Sequence, residues 1–200
     1  GQWTLSTSED HPSGRFIGPT LSYDRDRNKV ILFGGLVLGP TFNMVAQGDT
    51  WEYDPRTQQW EQITTIGNPP ARYGHSQTYD PVRKRTILMF GQDGSMTGGD
   101  FNSLGDIWEY DAATQTWTEM TPPNAPAARN VHKVVYHQKA GVLVLQGGRV
   151  DVGGAGDSCP EAGSTPTNDG NCYFTDTWTY DSSTQTFTDI TTADRSPEAE

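Results

Sequence analysis

Cysteine is almost missing from this sequence, with 2 among 200 residues, and methionine is scarce at 4. The pair, Cys159 and Cys172, has no C-x-x-C spacing of the kind that zinc sites use. Bases are few as well. The 14 Lys and Arg stand against 25 Asp and Glu, a net charge of −11, which argues against phosphate-backbone binding because that needs clustered cations. No apolar run approaches the roughly 20 residues of a spanning helix, and the first residues do not read as a charged-then-apolar signal segment. No stretch repeats at the helical 3.6-residue period, and there is no Asn-x-Ser/Thr acceptor for glycosylation. No Ser/His/Asp arrangement or phosphate loop appears either.

Glycine, proline and aromatics are plentiful: 22 Gly, 13 Pro, 6 Trp, 8 Tyr and 7 Phe. Disordered chains are poor in aromatic and β-branched residues, so the composition describes an acidic, folded β protein. It is also repetitive. Pro12, Pro69, Pro126 and Pro197 are spaced by 57, 57 and 71 residues, each three before Arg15, Arg72, Arg129 and, at the fourth place, Glu200. A second register runs Trp51-x-Tyr53, Trp108-x-Tyr110 and Trp178-x-Tyr180, with an aromatic seven residues past each Tyr: Trp60, Trp117 and Phe187. Between them lie Phe33-Gly34-Gly35, Phe90-Gly91-Gln92 and Gln146-Gly147-Gly148.

Each unit reads as four short strands, A to D. Strand A follows the arginine, as in His75 to Tyr79. Strand B is a nearly continuous apolar run (Val30–Phe33, Thr86–Phe90, Val142–Leu145), as expected of a strand buried on both faces. Strand C holds the Trp-x-Tyr alternation, and strand D begins at Trp60, Trp117 or Phe187. The C–D turns open on Asp54, Asp111 and Asp181, whose carboxylates can accept turn N–H groups.

The double glycine, the Tyr-x6-Trp spacing and the Pro69-x-x-Arg72-x-x-His75 opening resemble the kelch repeat. The style is similar to kelch modules of secreted bacterial proteins. The resemblance implies an all-β fold, a partial kelch-type β-propeller of three four-stranded antiparallel blades. The expected division is 1–11 as an orphan outer strand and linker, 12–64 as blade 1, 65–121 as blade 2, and 122–192 as blade 3. Blade 3 has a B–C insertion at about 149–175, and 193–200 would start a following blade. Two departures stand out: Gln92 where the second glycine belongs, and Gly18-Pro19 where blade 1 should carry histidine. Since propellers close with about four to eight blades, three imply either a piece of a longer propeller or half of a six-bladed ring.

Strand direction alternates in such a blade, so the long B–C segments (35–48, 92–105, 149–175) and the D–A segments share one face. Recognition sits on loops of that kind. Candidate binding residues there are Arg15, Arg72, Arg129, Phe42, Met44, Met96 and Phe101. The arginines could ring a channel mouth and take a carboxylate or phosphate, or each could pair with Asp49, Asp106 or Asp176 and tie neighbouring blades together. His75 and His132 are expected to be structural rather than metal ligands, and His11 and His137 to be loop or turn residues. Cys159 and Cys172 are expected to form a disulfide, worth roughly 3 kcal/mol, in an extracellular, cell-surface or periplasmic compartment. No cofactor is expected. Calcium is conceivable at Asp93, Asp100, Asp151, Asp157, Glu161, Asn168 and Asp169, although their spacing does not match a calcium loop.

Three functions follow. The first is a non-catalytic module for protein or glycan recognition, the use that the resemblance also implies. The second is self-assembly through blade edges, with further blades or a second copy. The third is an enzyme. Some kelch-like propellers carry a copper-radical oxidase site of tyrosines, histidines and a tyrosine-bonded cysteine. Here both cysteines share one loop, and Tyr136-His137 sits at an A–B turn on the opposite face.

Overall fold

Short alternating segments punctuated by Asp-led turns pair with their neighbours in sequence, which is the cheapest way to satisfy every backbone N–H and C=O. The structure, a computed structural model, describes residues 10–39, 43–97, 100–151, 159, 165–167 and 170–191, and gives only the backbone for 95–97, 100, 101, 165 and 166. The orphan strand near Trp3, Pro197 and Glu200, and Phe42, Asp157, Glu161, Asn168 and Asp169 fall outside the described residues.

Blade 1 contains β1 (Thr20–Asp24), β2 (Lys29–Phe33), the small hairpin β3 (Leu36–Leu38) and β4 (Met44–Ala46), then β5 (Thr50–Asp54) and β6 (Gln59–Ile63). Blade 2 is β7 (Ser76–Asp80), β8 (Arg85–Thr97), β9 (Asp100–Asp111) and β10 (Thr116–Met120). Blade 3 is β11 (Lys133–His137) and β12 (Val142–Gln146), then β13 (Arg149–Asp151), β14 (Thr165–Pro166) and β15 (Asn171–Tyr173), closing with β16 (Thr177–Asp181) and β17 (Thr186–Asp189). Three four-stranded sheets result, ordered β1-β2-β5-β6, β7-β8-β9-β10 and β11-β12-β16-β17, with every pairing antiparallel. The fold is all-β, a partial β-propeller of three blades, with no helix among the described residues. The C–D turns form as their aspartates predict: Asp54, Asp111 and Asp181 accept from the N–H groups of Arg56, Ala113 and Ser183.

The apolar core lies between blades rather than inside them. Ile31 and Phe33 of blade 1 cluster with Leu88, Tyr110 and Trp117 of blade 2. Ile87, Met89, Phe90 and Ile107 of blade 2 cluster with Leu143, Leu145, Tyr180 and Phe187 of blade 3. Phe33 meets Trp117 edge-on with ring centroids 5.3 Å apart, and the Trp117 indole Nε1 donates to Thr50 Oγ1 at 3.0 Å. Strand B is accordingly buried on both faces in blade 2, whereas in blade 3 only alternate residues, Leu143 and Leu145, are buried.

Two details of the repeat differ from the sequence expectation. In blade 2 it is the first glycine that is replaced, not the second. Main-chain φ runs 62° and 101° at Gly34 and Gly35, 64° and 105° at Gly147 and Gly148, and 57° and 108° at Phe90 and Gly91. Gly91 thus takes the second place, where a Cβ would lie 2.8 Å from the Tyr73 carbonyl oxygen, and Phe90 takes the first. Gln92 matches Leu36 and Arg149, because Ile17, Tyr73 and Asn130 bridge to Leu36, Gln92 and Arg149 in turn. In blade 1 the histidine position is held by Pro19, not Gly18. Pro19 borders Gly35 as His75 borders Gly91 and His132 borders Gly148. One extra residue after Arg15 causes the slip.

Candidate recognition face

The repeated arginines anchor the start of each blade. Arg72 Nη1 and Nη2 donate to Asp106 Oδ1 and Oδ2 at 2.6 and 2.5 Å, and Nη1 also reaches the Phe90 carbonyl at 2.9 Å. Arg15 grips Asp49 and the Gly34 carbonyl in the same way, and Arg129 grips Asp176 and the Gly147 carbonyl. Each aspartate also accepts an indole N–H, from Trp51, Trp108 or Trp178. Arg72 and Arg129 are 0% exposed, so an external anion would have to displace these carboxylates to reach them. The pairs do not tie neighbouring blades, since both partners belong to one blade. The tie between blades runs through the arginine main chain: Gly35 N–H donates to the Arg72 carbonyl, and Gly91 N–H to that of Arg129. Burial alone would raise the Asp106 carboxyl, but the Arg72 hydrogen bonds and charge, with the Trp108 indole, outweigh it and hold it below the ordinary carboxylate value. Asp49 is lowered in the same way.

His75 and His132 are buried between blades. His75 Nε2 lies 2.6 Å from Thr20 Oγ1, and its ring packs edge-on against Phe33. His132 packs against Phe90, with centroids 5.3 Å apart. Burial, with Arg129 nearby, pushes the His132 imidazole down to about 3, and burial and Arg72 push His75 well below its usual value. Both are neutral packing groups. Among the described residues no group of three or more His, Cys, Asp or Glu lies together as metal ligands would. His11 is exposed, with Nδ1 2.9 Å from the Pro12 carbonyl oxygen, and the His137 Nδ1 accepts from Ala140 N–H at an A–B turn.

The described parts of the B–C segments are not open loops. Isolated backbone would leave N–H and C=O groups unpaired, and each segment folds into extra strands: β3 with β4, the far ends of β8 and β9, and β13 with β15 and β14. The Cys159–Cys172 disulfide pins the last of these, with Cys172 buried. Neighbouring segments touch. A Cβ on Gly94 would lie 3.0 Å from Ala46 Cβ, and Gln92 Nε2 donates to Asp151 Oδ2. Asn130 bonds the Arg149 carbonyl through its Nδ2, and Asn102 bonds Asp93.

Among the anchors named from sequence, Met44 lies on β4 and is 44% exposed. Met96 and Phe101 pair across the β8–β9 end, where only the backbone is described. Sequence reasoning missed Phe16, Ile17, Leu38 and Val45, all exposed apolar residues on the same face. Leu38 is the cross-strand partner of Met44, and the Phe16 N–H donates to the Leu36 carbonyl. The signal was the Leu36-Val37-Leu38 and Met44-Val45-Ala46 runs around Pro40 and Asn43, a hairpin pattern.

A sequence model of the KLHDC2/KLHL20/DRC7 Kelch-repeats domain matches residues 1–200. The chain belongs to the kelch-repeat family. Kelch domains are in general protein-interaction modules. Among curated proteins this kelch chain is similar to Acyl-CoA-binding domain-containing protein 6 of Oryza sativa subsp. japonica, with 27% identity over 121 residues, 60% of this chain and 17% of that protein. It is 26% identical over 122 residues to Acyl-CoA-binding domain-containing protein 5 of Arabidopsis thaliana, 60% of this chain and 17% of that protein. It is 22% identical over 139 residues to Putative protein tag-53 of Caenorhabditis elegans, 66% of this chain and 10% of that protein. The kelch chain thus corresponds to 10–17% of the length of these relatives. These three come from plants and a nematode, so they lend no support to the likeness to secreted bacterial modules.

Proposed function

We propose that this kelch module is a non-catalytic recognition platform, part of a larger propeller, that holds a protein or glycan partner on the face built by the B–C and D–A segments. The exposure of Leu38, Met44 and Val45 on one hairpin, beside Phe16 and Ile17, supports this reading most. Leu38 and Met44 face each other on one side of the hairpin, with Val45 on its other side, and exposed apolar side chains gathered on one element mark interaction sites. The arginine–aspartate pairs and the strand pairing give it a rigid support, which limits the ordering cost of binding. A photoreactive side chain placed at Met44, compared with one at Ala113 on the opposite face, tests the assignment. The reading requires partner crosslinks at Met44 and none at Ala113; crosslinks at Ala113 alone would refute it. The Cys159–Cys172 disulfide supports a location outside the reducing cytosol.

A second reading, assembly through blade edges with further blades or a second copy, is favoured by the outward side of blade 1. There Leu21 and Tyr23 are 58% and 52% exposed, whereas the equivalent Tyr79 of blade 2 is buried against blade 1 and bonds Asp26.

A further inference from the structure

We infer that the partner of the loop face is an extended cationic peptide segment, seated with an apolar side chain on the β3–β4 hairpin and a lysine or arginine over the Asp93–Asp151 side. The inference rests on the recognition reading above and adds the chemistry of what is recognised. Its basis is a gradient of polarity across the face.

At one end stand Leu38, Met44 and Val45, exposed and apolar, and the whole segment 35–48 carries no charged residue. The next step across the face is Ala46, against which Gly94 packs so closely that a Cβ there would lie 3.0 Å away, and Gly94 in turn borders the Tyr73 ring. Past Tyr73 come Asp93 and Asp151, whose negative charges add to burial in raising the Tyr73 hydroxyl above its ordinary value. Arg149 acts on Tyr73 there as well and opposes them in part. Among the described residues, segments 92–105 and 149–175 carry Asp93, Asp100 and Asp151 against Arg149, and segments 64–71 and 121–128 carry no charge. The remaining arginines of the face, Arg15, Arg72 and Arg129, are each neutralised by an aspartate. A ligand that is apolar at one end and positive at the other complements this surface. Its approach is favoured by the net charge of −11. A carboxylate-bearing ligand meets repulsion, and a wholly polar one leaves the hairpin uncovered.

The test uses two fluorescent peptides with the same leucine and valine positions, one interleaved with lysine and one with glutamate, titrated against the whole chain by anisotropy at about 0.15 M salt. The lysine peptide is expected to bind at least about tenfold more tightly than the glutamate peptide and to weaken as salt rises. The double variants Met44→Ser with Val45→Ser, and Asp93→Asn with Asp151→Asn, should each weaken it by about fivefold or more. Asparagine at 151 can still accept from Gln92, so folding is preserved. Asp111→Asn with Asp181→Asn, on the opposite face, should change nothing. If the glutamate peptide binds as tightly as the lysine peptide and is lost in the hairpin variant, the loop face stands and the cationic partner is wrong. If the lysine peptide is weakened only by the Asp111 and Asp181 variant, the recognition face itself is wrong. Failure of both peptides to bind overturns the inference.

Discussion

Gly91 and Phe90 show how little freedom a single position in this fold has. At Gly91 the φ of 108° and the nearness of the Tyr73 carbonyl exclude a side chain. Gly91→Ala should therefore cost roughly 3 kcal/mol from backbone strain and overpacking. Gly14→Ala, where nothing lies within 4 Å, should leave the melting temperature unchanged. Equal melting temperatures for the two variants would contradict the close approach. Phe90 tolerates a left-handed conformation, a cost of about 1–2 kcal/mol, because its buried ring packs on His132. That exchange was not legible in the sequence, where a bulky residue next to a glycine reads as the end of a strand. The aromatic and arginine registers were legible because they recur at fixed spacing.

The buried histidines predict a pH dependence with a definite sign. A free histidine titrates near 6.5, and His132 in the fold is lowered to about 3. Its contribution is present in full above about 6.5 and is lost as the pH falls from there towards about 3, since the unfolded chain takes up the proton first. Asp49 and Asp106, also lowered, begin to cost stability only below the ordinary carboxylate value near 3.8. Thermal melts should therefore already shift downward between pH 6.5 and 4.5, and His132→Asn should flatten that part of the curve. A wild-type curve flat down to pH 4 would mean that the imidazoles are not held neutral.

One polar device recurs in every blade and holds its elements, the arginine–aspartate pair. Arg72 illustrates it: removing the guanidinium leaves the half-buried Asp106 carboxylate without its cation and the Phe90 carbonyl without its donor. Arg72→Ala should cost about 3–5 kcal/mol, and Arg72→Lys should not rescue it, because lysine cannot bridge both carboxylate oxygens and the carbonyl. Denaturant melts decide, and full stability with lysine would contradict the bidentate role. The strand pattern of A to D was readable because period-2 alternation and Asp-led turns recur in each unit. The B–C segments were not, because three-residue strands are too short to show a period. The hairpin of Leu36–Leu38 and Met44–Ala46 consequently looked like loop. The insertion of blade 3 should behave as its own cooperative unit. Cys159→Ser with Cys172→Ser should speed amide exchange in Arg149–Asp151 and Asn171–Tyr173 and leave β7 to β9 protected. Unchanged exchange in β13 and β15 would show that the disulfide does not hold this unit.

On the scale of the whole molecule, the blades exist to be stacked. Each junction repeats one plan. Arg27 grips Glu52 below Tyr110, and Arg83 grips Glu109 below Tyr180. Tyr180 is pushed up to about 12 by its burial and by Glu109. The two outward sides differ. Blade 1 offers Leu21 and Tyr23, while blade 3 offers the exposed Val135 and Gln146 where blade 2 has the half-buried Thr78 and the buried Met89. The double-mutant cycle of Phe33→Leu and Trp117→Leu probes the stacking most directly, since these rings come from different blades and meet at 5.3 Å. Packing between blades predicts a coupling of about 1 kcal/mol in the unfolding free energy. Strict additivity, within about 0.3 kcal/mol, would mean that each blade is stabilised on its own and would contradict the stacked core.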